Sequence, residues 1–213
     1  MVRSPTSRQL TGIRAAVFAL CLIPLGNLLF DAVSDSLGAN PIEAVTRALG
    51  DWALRLLLVT LAVTPVRRLT GLGWLARLRR MLGLFAFFYA VLHLLAYVVL
   101  DQFFAWDFIL KDILKRPFIT VGFLAFILLV PLAVTSTNAM MRRLGRNWSR
   151  LHRLIYLIAP LAVLHFWWMV KADVREPALY AAVLAVLLGV RLLWWARARG
   201  LGVAHAGPVA KRA

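Results

Sequence analysis

The sequence predicts an all-α integral membrane protein, a six-transmembrane-helix bundle with both termini in the cytoplasm. Three observations predict it. The chain of 213 residues is 62% hydrophobic and only 16% charged, an imbalance that soluble domains do not carry. Its apolar residues form long runs separated by short charged connectors, the pattern of a polytopic membrane protein. Its net charge of +16 is spread over the ends of those runs. That spread argues against a nucleic-acid surface, which would gather charge in one patch, and fits membrane flanks.

The runs, each about 17–22 residues long, suffice to cross about 30 Å of hydrocarbon. In order they are Arg14 to Asp31, Asp51 to Val66, Met81 to Leu100, Phe118 to Thr135, Leu151 to Val170 and Pro177 to Ala196. The first has a basic lead-in, like a secretory signal, but no small-residue cleavage motif follows Phe30, so it reads as a retained span. The second is the shortest and could be partly interfacial. Residues 1–13 then form an N-terminal tail, 14–196 the membrane domain and 197–213 a C-terminal tail.

Orientation follows from charge. Arg3 and Arg8 precede the first span and Arg14 opens it. Arg67, Arg68, Arg77, Arg79 and Arg80 join the second to the third. Arg142, Arg143, Arg146 and Arg150 join the fourth to the fifth, and Arg197, Arg199, Lys211 and Arg212 follow the sixth. These segments hold no acid; Asp31, Asp35, Glu43, Asp51, Asp101, Asp107, Asp112, Asp173 and Glu176 lie in or beside the other loops. The positive-inside rule places both termini in the cytoplasm and requires an even number of spans.

The outer loops carry local signals. Asn40 can cap a helix, with Pro41 at its first position and Glu43 at the reciprocal place, which predicts a short surface helix before the second span. DQFFAWDFILKDILKRP alternates apolar and charged residues at near-helical spacing, and Pro117 opens the next span. Both read as interfacial packing or as a docking surface. Arg55 can pair with Asp51 four residues before it, and Arg191 is near enough to the inner end of its span to snorkel. The lone Cys21 can form no intrachain disulfide or cysteine-based metal site and reads as packing. No internal repeat is apparent.

Two histidines lie inside spans. His93 stands thirteen residues beyond Arg80, and His165 thirteen beyond His152. At 1.5 Å per residue, each is about 20 Å up its helix, so the two share one depth. Ionisable groups at such depth are expensive and usually functional. Zinc wants three or four ligands, and no cysteine or carboxylate competes here. A pair of imidazoles in an apolar slot suits the axial positions of haem iron, filling both and favouring electron transfer. The competing reading is a hydrogen bond across helices.

His152 sits at the basic edge. Thirteen residues on an ideal helix turn it about 140° from the His165 face, and Pro160 between them could kink that angle. It is a candidate third ligand or an interfacial polar residue. Arg79, fourteen residues before His93 and near its face, cannot ligate iron. It could pair with a propionate or a flavin phosphate, or serve only as an inner-edge charge. His205 in the tail has no assigned role.

Several stretches together carry a resemblance: GANPIEAVTRALGDWAL, LAVTPVRRLTG, RRMLGLFAFFYAVLHLLAY, DILKRPFITVG, LAVTSTNAMMRRLGRNWSRLHRLIYLIAPLAVLHF and VKAD. In these, the chain resembles the MsrQ (YedZ) family of haem-binding membrane subunits, within the ferric-reductase-like transmembrane superfamily. The resemblance implies b-type haem and a bacterial inner-membrane location. It also implies an electron-transfer subunit rather than a catalytic one. Its partner would be a periplasmic molybdopterin-containing methionine-sulfoxide reductase that repairs oxidised envelope proteins. The quinone pool would be the donor, and FMN an associated cofactor. The family's haem ligands fall on His93 and His165, with His152 as the third family histidine. The superfamily commonly uses four histidines in two pairs, and Arg79 stands where the fourth would be.

Two other functions compete. One is a ferric reductase or oxidase domain fed by a separate cytosolic flavin reductase, since no glycine-rich nucleotide motif follows the last span. The other is a transporter or assembly scaffold, which would be colourless. The absence of acids from the bilayer centre argues against a coupled transporter.

Overall fold

The computed structural model describes residues 5–170 and 172–199; the expectations for Arg3, His205, Lys211 and Arg212 fall outside them. The described residues are helical throughout, without strands, and six stretches are long and apolar enough to cross a membrane.

Helix α1 spans Ser7–Val33. It starts seven residues ahead of the expected span because Thr6 and Gln9 form a capping box: Gln9 N–H donates to Thr6 Oγ1 and Thr6 N–H to Gln9 Oε1. Most of α1 faces outward, with Leu10 and Cys21 buried. The Tyr89 hydroxyl donates to the Cys21 carbonyl at 2.7 Å and ties α1 to the next hairpin.

Helix α2, Pro41–Thr70, corrects two expectations. Asn40 does cap it, accepting from Glu43 N–H while its amide donates to Glu43 Oε2. The helix does not stop before the second span, however; it runs unbroken for 30 residues. Thr46, Arg47, Gly50 and Asp51 interrupt the apolar run but not the backbone ladder, so hydropathy marks a boundary where the helix has none. Far from being partly interfacial, α2 is the central element, with Leu49, Leu54, Leu57 and Leu61 all buried. Gly71 closes it at φ 72°, the left-handed region that glycine enters without strain.

Helix α3, Arg79–Leu95, continues through a π-helical turn, Ala96–Asp101. Helix α4, Trp106–Lys115, and α5, Pro117–Val134, follow, the latter opened by Pro117 as expected. The short helices α6, Asn138–Leu144, and α7, Arg146–Leu151, lead through a 3-10 turn at His152–Leu154 into α8, Ile155–Met169. Helix α9 is Arg175–Ala198.

Two antiparallel hairpins make the core: α2 packs most closely on α3, and α5 on α8. The most deeply buried side chains of this core are Leu61, Tyr89, Ala86, Ile158 and Ala159. Helix α9 leans on α8 and α2. Large apolar side chains cover the outside, as a lipid-facing bundle requires.

Arg191 does not snorkel. Its guanidinium turns inward and donates to the carbonyls of Leu187 on its own helix and Leu61 on α2, leaving Nε buried without a partner among the described residues. The cause lies in α2. Pro65 has no N–H, so the Leu61 carbonyl lacks its usual helical donor, and in hydrocarbon a bare carbonyl is costly. Arg191 supplies the missing donor. The expected Asp51–Arg55 pair forms at 3.9 Å, and Arg55 Nε also donates to the Tyr180 hydroxyl at 2.7 Å.

Candidate functional site

His93 projects from the last turn of α3 and His165 from the C-terminal half of α8. Each is held in the same way. His93 Nδ1 lies 2.8 Å from the carbonyl of Thr46 on α2, and His165 Nδ1 lies 2.7 Å from the carbonyl of Phe118 on α5. A carbonyl can only accept, so each Nδ1 carries the proton, and a neutral ring then keeps its lone pair on Nε2. Both imidazoles are thus set in the tautomer that binds a metal through Nε2, with a backbone carbonyl behind each.

The two ring centroids lie 6.2 Å apart, with planes inclined at 73°. Two imidazoles on opposite faces of one iron, with metal–nitrogen distances of about 2 Å and about 1.1 Å from nitrogen to centroid, sit about 6 Å apart. The spacing fits a bis-imidazole centre. No group of three or more His, Cys, Asp or Glu occurs among the described residues, so the donor set suits axial ligation rather than zinc. Four helices, α2, α3, α5 and α8, therefore contribute to one site, two with ligands and two with the carbonyls that orient them.

His152 and Arg79 are not part of this pair. Both line a separate cavity of about 650 Å³ at the other end of the bundle. Arg14, Arg67, Arg77, Arg80 and Arg153 line it too, and no carboxylate among the described residues does. His152 stacks on Trp148 at 3.9 Å, and its Nε2 is 3.2 Å from Thr135 Oγ1. That hydroxyl spends its only proton on the Pro131 carbonyl at 2.6 Å, so His152 donates through Nε2 and holds the opposite tautomer. Trp148 Nε1 donates to the Thr135 carbonyl at 2.9 Å and braces the stack. His152 is built into a different environment from His93 and His165.

The sequence held a signal that span-by-span reading passes over. Leu-Leu-Val-x-Leu-Ala-Val-Thr occurs at 57–64 and again at 128–135, Ala-Val-Leu-His at 90–93 and 162–165, and Arg-Leu-Arg-Arg at 77–80 answers Arg-Leu-His-Arg at 150–153. The hairpins α2–α3 and α5–α8 are copies of one plan, and each acceptor carbonyl precedes its histidine by 47 residues. In the alignment of Arg-Leu-Arg-Arg with Arg-Leu-His-Arg, Arg79 is the counterpart of His152.

Residues 49–163 match the family described as ferric reductase like transmembrane component. The relatives are closer still. One from Herminiimonas arsenicoxydans, named protein-methionine-sulfoxide reductase heme-binding subunit MsrQ, is 52% identical over 210 residues, covering 97% of this chain and 96% of the relative. The chain belongs to the MsrQ family. A member of the same name from Xanthomonas campestris pv. campestris (strain 8004) is 60% identical, over 82% of this chain and 80% of its own. One from Ralstonia nicotianae is 52% identical over 96% of each. No solved structure matches the chain. The name these relatives share speaks of a heme-binding subunit of a reductase, and the histidine pair is the feature here with the chemistry for that group.

Proposed function

We propose that the chain is the membrane electron-transfer subunit of a methionine-sulfoxide reductase system, carrying b-type haem between His93 and His165. The observation that carries this reading is the 6.2 Å pair of rings, each fixed in one tautomer by a helical carbonyl. His93 and His165 would hold the haem, which would supply a one-electron carrier.

The residues' own contributions are positional. Thr46 and Phe118 aim the two imidazoles and raise their basicity as ligands. The bundle leaves both rings half-buried among apolar side chains. By the distribution of arginines, both termini and the inner cavity face the cytoplasm of a bacterial inner membrane, and the pair lies in the periplasmic half. Electrons then pass from the quinone pool to a periplasmic molybdopterin-containing partner that reduces oxidised methionine. The membrane domain takes residues 14–196, extended at its start by the helix from Ser7. In the inner cavity, Arg79 and its neighbours have the charge to hold an anionic group such as the FMN phosphate, with His152 beside it.

The test is a redox titration of the purified chain with haem and flavin quantified together. One low-spin haem species lost in His93→Ala and His165→Ala supports the reading. A colourless chain, or a spectrum indifferent to both substitutions, overturns it.

A further inference from the structure

The two acceptor carbonyls share a neighbour that explains how a side chain reaches them. In an α-helix the carbonyl of residue i already accepts from the N–H of residue i+4. A ring from another helix must approach past the side chain at i+4. At Thr46 that position is Gly50, and at Phe118 it is Gly122. A Cβ at residue 50 would lie 3.0 Å from both Nδ1 and Cε1 of His93. A Cβ at residue 122 would lie 2.6 Å from His165 Nδ1, 2.8 Å from Cε1 and 2.9 Å from Cγ. Other helical glycines differ. Gly12, Gly26 and Gly189 meet nothing within 4 Å, and Gly83 meets one methyl of Thr60 at 3.6 Å.

We propose that Gly50 and Gly122 are positioning residues for the haem ligands: their missing side chains open the lane through which each histidine reaches a helical carbonyl. The inference rests on the reading of His93 and His165 as the iron ligands. Backbone freedom is not the reason for glycine at either place, since both lie inside regular helices, where glycine is otherwise unfavourable. Side-chain volume is the reason. The two sites are unequal, because the His165 ring meets an added methyl at three atoms below 3.0 Å, whereas the His93 ring meets one at the edge of tolerance.

The experiment compares Gly50→Ala, Gly122→Ala and Gly189→Ala in the purified full chain, reading haem affinity, low-spin EPR g values and midpoint potential. Gly122→Ala should lower haem affinity about 10–100-fold, the usual consequence of losing a ligand's hydrogen-bond partner. Gly50→Ala should keep its haem with shifted g values and a higher midpoint potential, because a weaker Nδ1–H···O bond leaves a less basic ligand. Gly189→Ala, with open space around it, should match the parent in all three. Native affinity, g values and potential in both Gly50→Ala and Gly122→Ala would overturn the proposal. If Gly122→Ala does not accumulate, Gly50→Ala decides alone, since its spectroscopic readouts do not depend on folding yield. Haem that is lost with the histidines but indifferent to the glycines removes this proposal only. Haem indifferent to His93→Ala and His165→Ala removes the ligand reading and this proposal with it.

Discussion

Arg191 offers a test of packing that does not depend on the cofactor. Its guanidinium donates to the Leu61 carbonyl, which Pro65 leaves without a helical donor. Arg191→Met removes that donor at similar length. An unsatisfied buried carbonyl costs about 1–3 kcal/mol, although interhelical hydrogen bonds measured within bilayers average about 0.6 and reach about 1.7 kcal/mol. The substitution also removes the burial of an unpartnered Nε, which offsets part of the loss, so the single variant is a poor gauge. Adding Pro65→Ala restores a backbone N–H aimed at Leu61. The offsetting terms are the same in both backgrounds and cancel in the double-mutant cycle. Arg191→Met should therefore cost about 1 kcal/mol more with Pro65 than with alanine there, read by unfolding in mixed micelles. Equal cost in the two backgrounds would show that Arg191 does not serve the proline-orphaned carbonyl.

Other expectations follow from the same geometry. His152→Ala should leave the haem species assigned to His93 and His165 in place and alter a second cofactor or its redox behaviour, with Arg79→Ala lowering flavin content in parallel; equal loss of one spectral species in His93→Ala, His165→Ala and His152→Ala would contradict the separation of the two ends. Asn40→Ala removes the cap of α2 and should cost about 1 kcal/mol, seen as a lower unfolding midpoint with an unchanged haem spectrum. An unchanged midpoint would mean that the N-terminal end of α2 is held by packing alone.

Much of this bundle is legible in its sequence, for a physical reason. A bilayer admits only hydrogen-bonded helices of sufficient apolar length, so the runs around Phe85, Leu129 and Ile158 announce spans directly, and Pro117 and Asn40 announce starts. Hydropathy fails at Thr46 to Asp51, where polar residues sit inside a helix that the backbone ladder carries through. It also fails at Arg191, whose partner is a backbone atom exposed by a proline 126 residues away in the chain. The histidines are legible as a pair because depth follows from helical rise. Their orientation is not, since it depends on the carbonyls of Thr46 and Phe118, which no residue code records. Gly50 and Gly122 read as ordinary helical glycines until the rings beside them are seen. The doubled Ala-Val-Leu-His was open to inspection and becomes informative through self-comparison rather than span counting.

The most direct measurement of the central claim is haem content and low-spin EPR signal, taken together, on the purified parent chain, His93→Ala, His165→Ala and, as control, His205→Ala. Ligation by the half-buried pair predicts a bis-imidazole signal in the parent and in His205→Ala, and loss of most bound haem in each of the other two. A full haem complement with the parent signal in both His93→Ala and His165→Ala would contradict it.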